Sequence, residues 1–255
     1  MVKINVLSSG SSGNAVVIET AKNSILIDDG VSFKKLKCLF EKEKLSIDKI
    51  DALIVSHEHS DHISGIRVLL KKKPIPVFVS DLVAQYIEFP DDFENMVNIV
   101  EAEKDFEIGD FTIKPFLVPH DAEQTFGFVV FCNGIKIGYA SDLGTYNEHI
   151  VKRLQNSNCL MVEFNHDLDL LHNSSYPEHL KLRIASRIGH LSNDQGAKLL
   201  SKTISDETKA VYLMHLSKET NTKEYAEIAA YSVLQEREIF FEITNHLEPS
   251  KPFLF

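Results

Sequence analysis

Ile54-Val55-Ser56-His57-Glu58-His59-Ser60-Asp61-His62-Ile63-Ser64-Gly65 decides how this chain is read. The apolar run Ala52 to Val55 reads as a buried strand that delivers three histidines and an aspartate into a turn. Ile63 to Lys72 reads as a helix beyond it. His57 and His59, two apart in an extended segment, can aim at one cation, whereas Asp61 and His62, past the bend, suggest a second cation beside it. Imidazole and carboxylate donors suit zinc, manganese or iron better than calcium or magnesium. A polar surface loop is the bland alternative, since loops are rich in these residue types. An HxHxDH pattern placed directly after a buried strand argues against it.

Three later positions share this character, each just past an apolar strand where functional loops collect. His120 follows Thr112 to Val118, Asp142 follows Ile135 to Ala140, and His215 follows Ala210 to Leu213. One histidine at a strand end is usually structural, but three ligand-type residues behind an HxHxDH motif reverse that expectation. Upstream, Val2 to Leu7, Ala15 to Glu19 and Ile25 to Ile27 read as strands. The loop Ser8 to Asn14 between the first two is rich in hydroxyls and backbone N–H groups, so it is either a flexible hairpin loop or an anion-binding nest. Ser9, Ser11, Ser12 and Asn14 are its candidate substrate contacts. A carboxylate of Asp28-Asp29-Gly30 could orient a ligand histidine from behind.

Ser32 to Lys44 has the spacing of an amphipathic helix, with Lys34, Lys35 and Lys37 on its wet face. Val77 to Val79 reads as a strand and Asp81 to Phe89 as a helix. Strands follow from Val97 to Ala140, with Asn133-Gly134 marking a two-residue hairpin. Helices flank strands in both halves, which predicts two packed sheets with helices outside in one domain over residues 1–255.

Composition bounds the function classes. With 44% hydrophobic and 25% charged residues, this is the profile of a globular protein. No apolar run approaches the roughly 18 residues of a membrane span, and no export signal precedes Ser8. Cys38, Cys132 and Cys159 lack CxxC spacing and read as buried free thiols in a reducing cytoplasm. A net charge of −10 argues against broad, nonspecific nucleic-acid binding, although ligand carboxylates neutralised by metal would account for part of it.

The HxHxDH stretch with His120, Asp142 and His215 resembles the metallo-β-lactamase superfamily. The resemblance implies an α/β fold, a four-layer αββα sandwich of two mixed sheets, with a two-metal site between the sheet edges. It implies that His57, His59 and His120 hold the first metal, that Asp61, His62 and His215 hold the second, and that Asp142 bridges them. Ser8 to Ala15, Pro119 to Ala122, Glu163 to Asp167, Tyr176-Pro177 with Leu180 to Ile184, and Gly189 to Asn193 are similar to the YycJ/WalJ branch. That branch implies a metal-dependent phosphodiesterase acting as a 5′-to-3′ DNA exonuclease on DNA ends, using two Zn2+ or Mn2+ ions (or Fe), with a link to a two-component system. Ribonucleases and small-phosphodiester hydrolases share the ligands, as do lactamases and thioesterases. A metal-stabilised regulatory binder is the non-enzymatic alternative.

Two cations about 3.5–4 Å apart can share a hydroxide of pKa near roughly 7 and polarise a phosphoryl oxygen. Asp61 would both ligate and orient the nucleophile. His190, in a Gly-led turn before a helix expected to begin near Ser192, is the candidate proton donor to the leaving oxygen, against the reading of a plain capping turn. Asn165, His166 and Ser192 are candidate phosphate contacts. Lys181, Arg183 and Arg187 lie in one expected basic helix, either a phosphate-tracking edge or a solvated face. Tyr146 and Tyr176 could stack a terminal base. His149, His172, His179 and His246 read as solvent-exposed.

Overall fold

The computed structural model describes residues 1–235 and 237–255. The first half contributes β1 (Val2–Ser8), β2 (Ala15–Thr20), β3 (Ser24–Ile27), β4 (Ala52–Ile54), β5 (Val77–Val79) and β6 (Val97–Ile99). The second contributes β7 (Phe106–Ile108), β8 (Phe111–Leu117), β9 (Phe126–Cys132), β10 (Ile135–Ala140), β11 (Cys159–Glu163), β12 (Ala210–Met214) and β13 (Phe240–Ile243). A last strand, β14 (Phe253–Leu254), returns to pair with β1. Strand order is β14-β1-β2-β3-β4-β5-β6 in one sheet and β13-β12-β11-β10-β9-β8-β7 in the other. Each sheet is part antiparallel and turns parallel, at the β3–β4 pair and at the β10–β11 pair. The parallel strands are covered on both faces, which is why β4 (Ala-Leu-Ile) and β12 (Ala-Val-Tyr-Leu-Met) are unbroken apolar runs.

Among the described residues the helices are α1 (Phe33–Lys42), α2 (Ser60–Ile63), α3 (Ile66–Lys72), α4 (Asp81–Ala84), α5 (Glu148–Leu154), α6 (Leu168–Asn173), α7 (Glu178–Ile184), α8 (Asn193–Thr203) and α9 (Lys223–Leu234). Ile4, Ile18, Ile54, Tyr139 and Tyr212 belong to the core between the sheets. Leu36, Leu39, Phe40 and Leu69 seat α1 and α3 on the outer face of the first sheet, over Leu26 and Leu53. Ile150, Leu154, Leu199 and Ala226 seat α5, α8 and α9 on the second, over Leu160 and Val211. The result is an αββα sandwich with two mixed sheets. The carboxyl ends of β1, β3, β4, β8, β10, β11 and β12 all deliver side chains to one edge, the usual place for ligands in parallel sheets.

Some expectations change. The helix expected over Ile63 to Lys72 is broken at Ser64-Gly65, because the Gly65 N–H bonds to the Asp29 carbonyl at 2.8 Å and a Cβ there would lie 2.0 Å from the Val31 carbonyl oxygen. The helix expected over Asp81 to Phe89 stops at Ala84, and Pro90 bars Phe89 from helical geometry. The basic helix ends at Ile184 and does not run on to Arg187. Gly189 packs against its last turn, where a Cβ would sit 2.2 Å from the Arg183 carbonyl oxygen. Cys132 and Cys159 are buried but Cys38 is exposed, on the wet face of α1. His246 is not on the surface: its ring lies over Gly10, and both ring nitrogens are shut away from solvent.

Asp29 is fully buried and, among the described residues, neither of its carboxylate oxygens has a hydrogen-bond partner. Burial, with the charge of Asp28 added, pushes its pKa up to about 8. The folded state therefore favours the protonated form. That contribution is complete below the ordinary pKa of 3.8 and is lost as pH rises toward about 8. Asp29→Asn carries no charge and should escape the loss. Relative to wild type its stability should rise with pH by up to about 1.4 kcal/mol per unit in that window, read by urea denaturation from pH 5 to 8. A pH-independent difference would mean that Asp29 is ionised at no cost.

Candidate metal centre

β4 ends in an extended segment, so Ser56, His57 and His59 leave the sheet edge before α2 turns Asp61 and His62 back toward it. The turn is held against the β3 loop by close backbone approach. A Cβ on Gly30 would stand 1.6 Å from the Asp61 carbonyl oxygen, so only glycine fits. Asp28, Asp142 and His215, at the ends of β3, β10 and β12, all have left-handed backbones, with φ of 60°, 56° and 56°. Such conformations cost about 1–3 kcal/mol each and persist where the surrounding structure imposes them.

The side chains converge in three overlapping groups: His57, His59 and His120; Asp61, His62, Asp142 and His215; and Asp142, Glu163, His190 and His215. Within each group the donor atoms lie within 4.8 Å of one another. Asp142 joins them, with Oδ2 3.3 Å from His62 Nε2 and Oδ1 3.3 Å from His215 Nε2 and 4.0 Å from His120 Nε2.

Each buried imidazole is anchored by one nitrogen and leaves the other facing the centre. His62 Nδ1 is 2.8 Å from Asp28 Oδ2, His120 Nδ1 donates to the Gly189 carbonyl at 3.0 Å, and His215 Nδ1 is 3.3 Å from Glu163 Oε1. Ser56 fixes Asp28 in turn, donating its backbone N–H at 2.7 Å and its hydroxyl at 2.8 Å. This is how metal-ligating histidines are held in one tautomer. His57 Nε2 supplies the test of fit: it is buried with no hydrogen-bond partner, a costly state for a ring nitrogen unless a cation occupies the space in front of it. Burial and the neighbouring His62 keep His57 well below its ordinary pKa, leaving a neutral lone-pair donor. Burial works against ionised Asp61, but His62 and His215 outweigh it and bring its pKa to about 2. Burial likewise opposes a charged His215, and Asp142, Asp61 and Glu163 override it, to about 10. These donors fit a divalent cation.

Glu163 was not singled out in the sequence as a site residue. Fully buried at the end of β11, it accepts the Leu143 and Leu191 N–H groups on Oε2, at 3.1 and 3.0 Å, while Oε1 faces His190 Nδ1 at 2.7 Å. The available signal was an acidic residue closing the apolar run Cys-Leu-Met-Val. Burial opposes charge on His190, but Glu163 prevails and raises its pKa.

The remaining candidates divide. A cleft of about 230 Å³ beside the centre is lined by Ser11, Asp121, Asn165, Tyr176, Arg183, His190 and others. Ser9 is buried, and its hydroxyl accepts the His215 N–H at 2.8 Å. Asn14 Nδ2 reaches His62 Nε2 at 2.9 Å and Asp61 Oδ2 at 3.3 Å. Ser12 takes a bond from Lys218. Asn165 Nδ2 bonds the His215 carbonyl at 2.9 Å. Ser192 caps α8 and closes a capping box with Gln195, so its hydroxyl is engaged. His166 is buried and lies outside the cleft, and Arg187 is exposed and also outside it. Arg183 pairs with Asp121, which stands 3.4 Å from His120 Nε2.

Residues 23–216 match the beta-lactamase superfamily domain. The chain belongs to the metallo-β-lactamase superfamily. Within it, the chain is 33% identical over 238 residues to exodeoxyribonuclease YycJ of Bacillus anthracis, covering 91% of this chain and 89% of that one. It is 34% identical over 241 residues to exodeoxyribonuclease WalJ of Streptococcus pneumoniae serotype 2, covering 93% and 90%. These make it a YycJ/WalJ-like member. The metallo-β-lactamase fold protein YhfI of Bacillus subtilis shares the fold over 99% of this chain and 98% of its own, with a TM-score of 0.74 at 16% identity. The chain is a metal-dependent hydrolase of this superfamily, and among the described residues no helix is long and apolar enough to cross a membrane.

Glu163→Ala would leave the Leu143 and Leu191 N–H groups buried without an acceptor. It should lose roughly 2–5 kcal/mol in urea denaturation, whereas Glu163→Gln, which keeps an acceptor, should lose less than about half of that. Equal losses would mean that the two N–H groups find water.

Proposed function

We propose that this protein is a phosphodiesterase that removes nucleotides from DNA ends in the 5′-to-3′ direction, with two divalent cations (Zn2+ or Mn2+) as cofactors. His57, His59 and His120 would hold one cation, Asp61, His62 and His215 the other, with Asp142 between them. The observation that carries the reading is the Glu163–His190 pair. It places an imidazole with raised pKa beside the ligand-type cluster and inside the adjoining cleft. Full-length similarity to two exodeoxyribonucleases supports the substrate class. An exposed, unpaired Cys38 supports a reducing, cytoplasmic setting.

Bound cations would supply Lewis acidity toward a phosphoryl oxygen and lower the pKa of water. The chain does the rest. Asp61, held ionised by His62 and His215, orients the attacking water. Arg183, at the rim of the cleft, offers a cation to the strand that carries the scissile phosphate. Glu163 holds Nδ1 of His190, so that Nε2 is the nitrogen left to give a proton to the leaving oxygen. Lactam and thioester hydrolysis call for no such donor aimed into a cleft with an arginine at its rim.

Metal-loaded protein should hydrolyse end-labelled DNA and leave its internal positions intact. His190→Ala should keep both metals and lose roughly 10²–10⁴-fold in turnover on DNA, and much less on an aryl phosphodiester, whose leaving group needs no proton. The sign of the pH effect follows from the raised pKa. His190 is protonated below that pKa, so the acid-dependent rate falls as pH rises through it, and His190→Ala should abolish this limb. Equal damage on both substrates would make His190 a phosphate-positioning group.

A further inference from the structure

The cleft beside the centre has two unlike walls. Tyr176, Leu180 and Ile184 form an apolar wall, from α7 and the turn before it. Ser11, Asn165, Ser217 and Arg183 supply polar groups, and His190 and His215 form the end nearest the metal-type cluster. Asp61 does not line the cleft. The group that orients the nucleophile and the group that protonates the leaving oxygen are therefore separated by the wall of the site, with His215 between them. Its Nε2 is 3.3 Å from Asp61 Oδ2 while its ring stacks on His190 with centroids 5.2 Å apart. In-line displacement at phosphorus puts the incoming and leaving oxygens on opposite sides. The leaving oxygen must then face His190, and whatever is attached to it must enter the cleft.

We propose that this cleft is the subsite for the nucleoside that departs with the leaving oxygen, its base lying against Tyr176 between Leu180 and Ile184. The assignment rests on the phosphodiesterase reading above and adds to it which side of the scissile phosphate is held. In the step, the water oxygen bonds to phosphorus and the phosphorus–oxygen bond to the departing nucleoside breaks. The leaving oxygen takes the His190 proton, and the proton released by the water restores His190 through solvent. The apolar wall offers an aromatic face and two aliphatic flanks, which suit a base of any identity, since every base has a π-face. At about 230 Å³ the cleft is smaller than the roughly 300–1,000 Å³ of a drug-sized pocket. It admits one unit and not a continuing strand, so the departing unit is a chain end. Exonucleolytic action then follows from the size of the space behind His190.

The test compares single-stranded DNA whose terminal unit carries a base with the same strand whose terminal unit is abasic. Wild type should favour the base by about tenfold or more in kcat/KM, mostly through KM, the range of one base–aromatic stack. Tyr176→Ala should erase that preference while hydrolysing the abasic strand and methyl p-nitrophenyl phosphate as wild type does, which also shows that the variant is folded and loaded. Tyr176→Phe should keep the preference, because the ring makes the contact. The equilibrium affinity of His190→Ala for the two strands, read by fluorescence anisotropy, should show the same ratio independently of turnover. Equal loss on both strands after Tyr176→Ala, or a preference that follows the base of the penultimate unit, would overturn the subsite and leave the nuclease reading standing. A wild-type protein that cleaves the aryl diester but no nucleic acid would overturn both.

Discussion

Three carboxylates, Asp28, Asp142 and Glu163, sit at one edge of the sandwich with at most 2% of their surface exposed. An ionised carboxylate taken out of water costs several kcal/mol unless it is paired and hydrogen-bonded. Among the described residues no lysine or arginine is bonded to any of the three. Their partners are imidazoles, hydroxyls and backbone N–H groups. The charge must be balanced by protons on His62, His190 and His215 or by cations taking their place, and the arrangement of the centre follows from that requirement. Metal binding then displaces protons from the ligand histidines, so its affinity is tied to pH by the same groups that make it possible.

The sheets are what make such a concentration of charge tolerable. Left-handed backbones at Asp28, Asp142 and His215 aim their side chains inward, and each is the first or second residue after a strand that is buried along its length. A strand fixed by neighbours on both sides cannot relax the strain at its end by sliding. The close approach of Gly30 to the Asp61 carbonyl does the same for the HxHxDH turn. Stability in the apolar layers is thus converted into geometry at the edge, where the backbone departs from its preferred regions.

Much of this was legible in the chain. Strand ends could be read because apolar runs stop abruptly before Asp28, His57, Asp142 and His215, and α1 because Ser32 caps a helix with lysines on one face and Leu36, Leu39 and Phe40 on the other. What escaped depends on contacts distant in sequence. The break at Gly65 comes from the Asp29 loop, some 36 residues earlier. The early end of α7 comes from Gly189 folding back on its last turn, and the burial of His246 comes from Gly10 at the other end of the chain. Glu163 escaped for a related reason. An acidic residue after an apolar run resembles any strand terminus until His190 and His215, brought in from two other segments, are seen to share it.

That shared oxygen joins two jobs which a sequence reads as separate. Glu163 Oε1 is 2.7 Å from His190 Nδ1 and 3.3 Å from His215 Nδ1, so one carboxylate orients both a ligand-type histidine and the candidate proton donor. A single oxygen cannot serve two charged imidazoles as fully as one. When a cation takes up the lone pair of His215 Nε2, His215 stays neutral and competes less for Glu163, and the carboxylate's charge is left to hold a proton on His190. Loading of the centre and readiness of the leaving-group side are therefore coupled through one buried side chain, without any movement of the backbone. The two backbone N–H groups on Oε2 keep that side chain from swinging toward either partner.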